Sequence, residues 1–429
     1  MKLKNIFFYI YYAALMVILL SWTNPKAAPP EMLRYAFLAA VTVPLLFNST
    51  PLIIAIITVF YTISYYGYAF SYMPQTIEVY VVILIACLIL SGQIKSYKGM
   101  TGWLSFIVFG IYAIIINTIT SFEPLIAVGG KTVFCCLFPF FFFTNKREGV
   151  KILEQSFIIL SIIMSVQYLL IGDQAILVYD QDGSGLTRTG WTDPNHFAAI
   201  IGLGIVISVM LLMDLKERTI FSTIYYGSAI VLSVIVVLLN ASRGASLALA
   251  LSFIMMTFMS KVEKKYKLLI IIFIALALIV LHQFGFFDLL EARLATNDNT
   301  GTGRTLIWAK KLDAFLNSDN PLSLLFGVGF EKGLVLGTGY SRSFHNDVIC
   351  AFVDYGFVGL LLFIIMFAMP VLKAPRKYRP IILSLITYLW VVGFSLCPLT
   401  EGFLPYYVFL FYIFVKMQVF KEQDFLDRL

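Results

Sequence analysis

Three short polar motifs stand where long apolar segments begin. They are Arg188-Thr189-Gly190-Trp191-Thr192-Asp193-Pro194-Asn195-His196, Ser242-Arg243-Gly244 and Ser343-Phe344-His345-Asn346-Asp347. A guanidinium suits bidentate contact with phosphate oxygens. The start of a helix adds unpaired N–H groups and the positive end of its dipole. Arg188, Arg243 and Arg304, placed on one side beside such helix starts, match diphosphate binding. An imidazole can take or orient a hydroxyl proton near neutral pH. His345 is the candidate, with Asn195, Asn346 and Asp347 as supporting polar groups. Asp193 can cap the helix that follows it, and Pro194 suits that helix's first turn. Each residue has a plainer reading. An arginine at a helix end can snorkel to headgroups, and a histidine there can be a satisfied cap. His196 and His282 have weaker cases, His196 following the Asp-Pro-Asn cap and His282 ending an apolar run. The combination, rather than any one residue, favours an anion site.

These motifs need elements to hold them. Of the 429 residues, 60% are hydrophobic and 13% charged, with a mean hydropathy of +0.89. A soluble domain carries about 25% charged residues, so the chain reads as a membrane protein. Apolar runs of the length that crosses a bilayer core, about 20 residues, lie at 5–21, 31–48, 51–68, 76–92, 102–120, 124–144, 152–171, 196–214, 219–239, 244–260, 268–283, 345–372, 381–397 and 403–420. The fold class they predict is all-α, a polytopic transmembrane bundle of about fourteen spans, or about twelve if short turns such as Asn48-Ser49-Thr50-Pro51 are not real breaks. The runs are continuously apolar rather than alternating, which argues against a β-barrel. Residues 1–429 form one integral membrane domain, with a first outer loop at 172–195 and a large outer loop at 284–344.

Charge sets the orientation. With the N-terminus inside, Lys2, Lys4, Lys95, Lys98, Arg147, Lys151, Lys264, Arg376, Lys421 and their neighbours fall on inner segments, and the short outer turns are nearly bare of Lys and Arg. This positive-inside pattern puts both termini in the cytoplasm and the three motifs on the outer face of the cytoplasmic membrane. The net charge of +7 then reflects topology, not nucleic-acid binding. Residues 1–21 read as a retained span, because the apolar run is long for a cleaved signal. Cys87, Cys135, Cys136, Cys350 and Cys397 lie in or beside spans without CxxC spacing, and read as packing residues.

Other features weigh less. Asp180-Gln181-Asp182 resembles a metal-binding Asp-x-Asp, but it lies in an outer loop where paired carboxylates are usually solvated. Gly327-Val328-Gly329 and Gly337-Thr338-Gly339 lack the Gly-Lys-Ser/Thr ending of a P-loop. Lys131 and Asp354 lie inside spans, where ionisable residues are functional by default. A structural ion pair between them is the simpler expectation. In the large loop, 304–316 has helical spacing, with Trp308, Leu312, Phe315 and Leu316 on one face for packing or the membrane interface.

The ordered set Arg188…Asp193-Pro194-Asn195, Ser242-Arg243-Gly244, Gly303-Arg304-Thr305-Leu306-Ile307-Trp308, Phe326-Gly327-Val328-Gly329 and His345-Asn346-Asp347, followed by Gly356 and Gly359, resembles the O-antigen polymerase and ligase superfamily. The resemblance implies a GT-C-like glycosyltransferase that moves a saccharide from undecaprenyl diphosphate to a sugar hydroxyl, inverting and without metal or other cofactor. It implies His345 as the acceptor-activating residue and Arg243, Arg304 and Arg188 as diphosphate ligands. The partners implied are an undecaprenyl-diphosphate-linked oligosaccharide, membrane lipid and a polysaccharide chain-length regulator. The span count leans toward a polymerase. A ligase acting on lipid A–core is the second reading, and a lipid-linked oligosaccharide flippase, from another class, the third.

Overall fold

The computed structural model describes residues 10–18, 30–42, 55–56, 58–60, 62–63, 104–121, 146–171, 176–179, 185–188, 194–213, 219–240, 242–259, 304–338, 343–400 and 404–426, with isolated positions between 272 and 285. The candidate spans 76–92 and 124–144, most of 268–283, and Lys131, Asp180-Gln181-Asp182 and Asp193 lie outside the described residues.

In lipid a backbone must satisfy its own polar groups, so apolar runs become helices. They are α1 (Glu31–Thr42), α2 (Leu104–Ser121), α3 (Lys146–Ile171), α4 (Pro194–Met213), α5 (Ile220–Leu239), α6 (Arg243–Met259), α7 (Arg304–Leu316), α8 (Pro321–Phe326), α9 (Phe330–Val335), α10 (Asp347–Lys373), α11 (Arg379–Ser395) and α12 (Leu404–Leu426). Among the described residues, the helices at 147–170, 195–213, 220–239 and 347–373 are long and apolar enough to cross a membrane. Those at 104–120, 243–258 and 379–395 are apolar but shorter. The molecule is thus a largely helical, multi-pass membrane bundle.

A small hairpin departs from the all-helical expectation. β1 (Ile176–Tyr179) pairs antiparallel with β2 (Gly185–Arg188), Ile176 opposite Arg188 and Tyr179 opposite Gly185. Apolar, β-prone Ile176-Leu177-Val178-Tyr179 suits a strand.

The helix α12 runs through the core. Every residue from Leu404 to Val415 is buried, as expected of a helix that is apolar all round. Its ionisable Lys416 sits 2.7 Å from Glu154 Oε1 of α3, and Tyr412 donates to the same oxygen at 3.0 Å. Close approach elsewhere uses small residues. A Cβ at Gly202 of α4 would collide with the hydroxyl of Tyr388 of α11, which donates to Ala199 O at 2.6 Å. Ser161 of α3 and Ser233 of α5 share a hydrogen bond of 2.7 Å.

The helix α10 is broken. Gly356 has φ 68° and ψ −170°, a conformation that only glycine adopts readily. The break frees backbone carbonyls, and the loop between α8 and α9 takes them up together with α2. Val328 N–H donates to Val353 O at 3.1 Å, Gly329 N–H to Asp354 O at 2.9 Å, and Tyr112 OH of α2 to Tyr355 O at 2.9 Å. The loop between α8 and α9 therefore docks into the break, which positions the large loop against the membrane bundle.

Candidate functional site

The segment Ser395-Leu396-Cys397-Pro398-Leu399-Thr400, which leaves α11, gathers the site. Ser395 O accepts from the Arg304 guanidinium at 2.7 Å. Gly244 has its missing Cβ position filled by Ser395 Oγ, so the start of α6, with Arg243, lies against the end of α11. Cys397 Sγ accepts from Asn346 N–H at 3.0 Å. Leu399 N–H and Thr400 N–H donate to the Asp347 carboxylate at 3.3 and 2.9 Å, and Thr400 Oγ1 adds a bond of 2.7 Å. Three helix starts, those of α6, α7 and α10, thus meet one short strip of chain. Ser242, just before α6, donates to Asn195 Oδ1 at 3.3 Å and ties in the start of α4.

The sequence around His345 builds a rigid turn. His345 has φ 50°, the one positive value for a non-glycine among the described residues. Histidine tolerates this region better than branched residues, and such strain persists only where neighbours enforce it. Here they do. His345 N–H donates to Ser343 Oγ at 3.1 Å, and Phe344 O accepts from Trp308 Nε1 at 2.5 Å. Asn346 caps α10, its side chain accepting from Val348 N–H at 3.0 Å and Ile349 N–H at 3.1 Å. His345 itself is half-buried.

Arg243 is half-buried at the first residue of α6, and among the described residues it makes no hydrogen bond or ion pair. Arg304 is half-buried at the first residue of α7. Both therefore combine a guanidinium with a helix N-terminus, the arrangement that favours an anion. Arg188 ends β2, and its side chain lies outside the described part of the structure. His196 is buried and engaged with Tyr406 OH at 3.3 Å through Nδ1, which makes it a packing residue of the α4–α12 contact.

Asp354 is fully buried, accepts from Cys350 Sγ at 2.9 Å and packs against Gly333, while Lys131, its expected ion-pair partner, lies outside the described residues. In α7, Leu316 is 55% exposed, whereas Lys311 is fully buried between Trp308 and Phe315 on the inner face. Lys311 and the strip 395–400 escaped the sequence reading. Helical spacing could have found Lys311, which is one turn from both Trp308 and Phe315. Nothing in Ser395–Thr400 marks it, because it works largely through backbone groups.

Comparison with known proteins bears on this arrangement. Residues 228–364 match the family model described as O-Antigen ligase (Wzy_C). That stretch is therefore similar to the O-antigen polymerase and ligase superfamily. The matched stretch runs from α5 into α10 and contains Arg243, Arg304, His345, Asn346 and Asp347, while Arg188, Asn195 and the strip 395–400 fall outside it. No curated protein matches the chain significantly. This similarity and the membrane-length helices together support an enzymatic role in handling lipid-linked glycans.

Proposed function

We propose that the chain transfers a glycan from undecaprenyl diphosphate to a sugar hydroxyl at the outer face of the cytoplasmic membrane. The observation that carries this is the meeting of Arg243, Arg304 and the His345 turn on the strip Ser395–Thr400. The glycosyl diphosphate brings its own leaving group. Positive charge held in place stabilises the departing diphosphate, and preorganised donors of this kind are worth several kcal/mol, about 10²–10³ in rate. Arg243 and Arg304 fill that role, with the N-termini of α6 and α7 adding to the field. His345 accepts or orients the proton of the attacking hydroxyl. Asn346 and Asp347 hold its turn, and Asn195 holds Ser242 beside Arg243. Arg188 is a third diphosphate ligand in this reading. Attack from the face opposite the diphosphate inverts the anomeric centre.

Two acceptors fit. The family description favours ligation onto a different glycan, such as lipid A–core. The sequence expectation was polymerisation, with a second lipid-linked repeat as acceptor. Purified protein given only lipid-linked repeat units, and then repeat units plus lipid A–core, separates them. A ladder in the first tube means polymerase, and product only in the second means ligase. Transport of substrate with no new glycosidic bond in either tube would discard both in favour of a flippase.

A further inference from the structure

Lys311 is a cation with no solvent exposure in the middle of a helix that otherwise belongs to a surface loop. Its ammonium donates to Gly333 O at 2.6 Å and Leu334 O at 2.7 Å, both in α9. It also lies 4.1 Å from the centre of the Phe344 ring, close enough for a cation–π contact. Phe344 is the residue before His345. One turn earlier on α7, Trp308 holds the Phe344 carbonyl, and at the start of α7 Arg304 reaches Ser395. Asp354 supplies the opposite charge nearby, and Gly333 is glycine because a Cβ there would collide with its carboxylate. A buried cation with two hydrogen bonds to α9 and a ring contact to Phe344 is an expensive feature to maintain. Packing alone would be served as well by a methionine or leucine.

We propose that Lys311 is a positioning residue for glycan transfer, locking the helix that carries Arg304 to the turn that carries His345. The proposal rests on the transfer reading above. The lock acts through Phe344. Lys311 grips its ring and Trp308 its carbonyl, so the φ of His345 and the direction of its imidazole follow the position of α7. Arg304 rides on the same helix. The two halves of the reaction, leaving-group stabilisation and acceptor activation, thereby share one rigid element.

The test uses full-length protein in lipid bilayer discs. Lys311→Met combined with Asp354→Asn removes the lock without leaving one buried charge unpaired. The double variant keeps a thermal midpoint close to wild type. Its kcat falls about 10²-fold, the scale of a 1 Å misplacement, while the donor KM changes little because Arg304 keeps its own bond to Ser395. Trp308 emission, taken against a Trp308→Phe counterpart, moves to the red as the indole leaves Phe344. A folded double variant with wild-type kcat overturns the proposal. Trp308→Phe alone, which removes only the bond to Phe344, lowers kcat in the same sense. Wild-type kcat in that protein overturns the proposal even where the double variant does not fold. If the wild-type protein makes no glycosidic bond, the transfer reading fails separately, and unchanged Trp308 emission in the double variant then overturns the lock itself.

Discussion

The two ends of this bundle treat their charges differently. Toward the C-terminal half of α12, Lys416 meets Glu154 at 2.7 Å, with Tyr412 on the same carboxylate. Charge is neutralised and the acceptor is satisfied, which is how a buried ion is made tolerable. At the other end Arg243 is half-buried at a helix start and, among the described residues, bonds to nothing. A cation beside a helix N-terminus adds to the local positive potential instead of cancelling it. The first arrangement stabilises the fold. The second, in the proposed function, is poised for an anion.

The contrast can be broken by substitution. The largest effect is expected at His345. His345→Asn keeps a residue that tolerates positive φ and removes the base, so transfer falls about 10³-fold, within the range for general acid–base groups, with an unchanged thermal midpoint. A variant that transfers normally would remove His345 from the chemistry. Next comes Arg243→Ala. Transfer falls about 10²-fold, in line with loss of one preorganised charge, and stability holds or rises because no partner among the described residues is lost. A large drop in thermal midpoint would show that Arg243 is structural and erase the distinction drawn above. Lys416→Met behaves in the opposite way. It strands the Glu154 carboxylate and destabilises the protein by about 3 kcal/mol, measured by denaturant unfolding in mixed micelles, while the folded fraction keeps its activity per molecule. Lost activity in the folded fraction would tie this end to catalysis.

Much of the site was legible in the sequence because its parts are charged or carry a helix-start signature. Arg243, Arg304 and His345-Asn346-Asp347 each open a helix in the structure. The strip 395–400 was not legible, since the groups it offers are backbone carbonyls and amides, a thiol and a hydroxyl. Their value comes only from which helix starts are folded against them. The break in α10 was equally hidden. A glycine inside an apolar run is common, and only the docking of Gly327 and Gly329 against residues 353–356 shows that Gly356 carries a positive φ. Lys311 drew no reading of its own, although helical spacing sets it one turn from both Trp308 and Phe315. The hairpin in the first loop was passed over because two four-residue strands give a weak alternation signal beside long apolar helices.

Lys311 supplies the finest test of the comparison, because it belongs to the outer end yet is buried like Lys416. Burial lowers its pKa below the ordinary lysine value, and Asp354 opposes that shift only in part. The unfolded chain holds this proton up to about pH 10.4. Between the lowered value and that pH, the unfolded state binds more protons than the folded one, so stability contributed by this group rises with pH. Below the lowered value the full burial penalty is present. The unfolding free energy of wild type minus that of the Lys311→Met, Asp354→Asn protein should therefore increase as pH climbs from neutral into the alkaline range. A flat difference would mean that Asp354 compensates Lys311 as fully as Glu154 compensates Lys416. The outer end would then hold one structural ion pair and only the arginines would remain poised for a ligand.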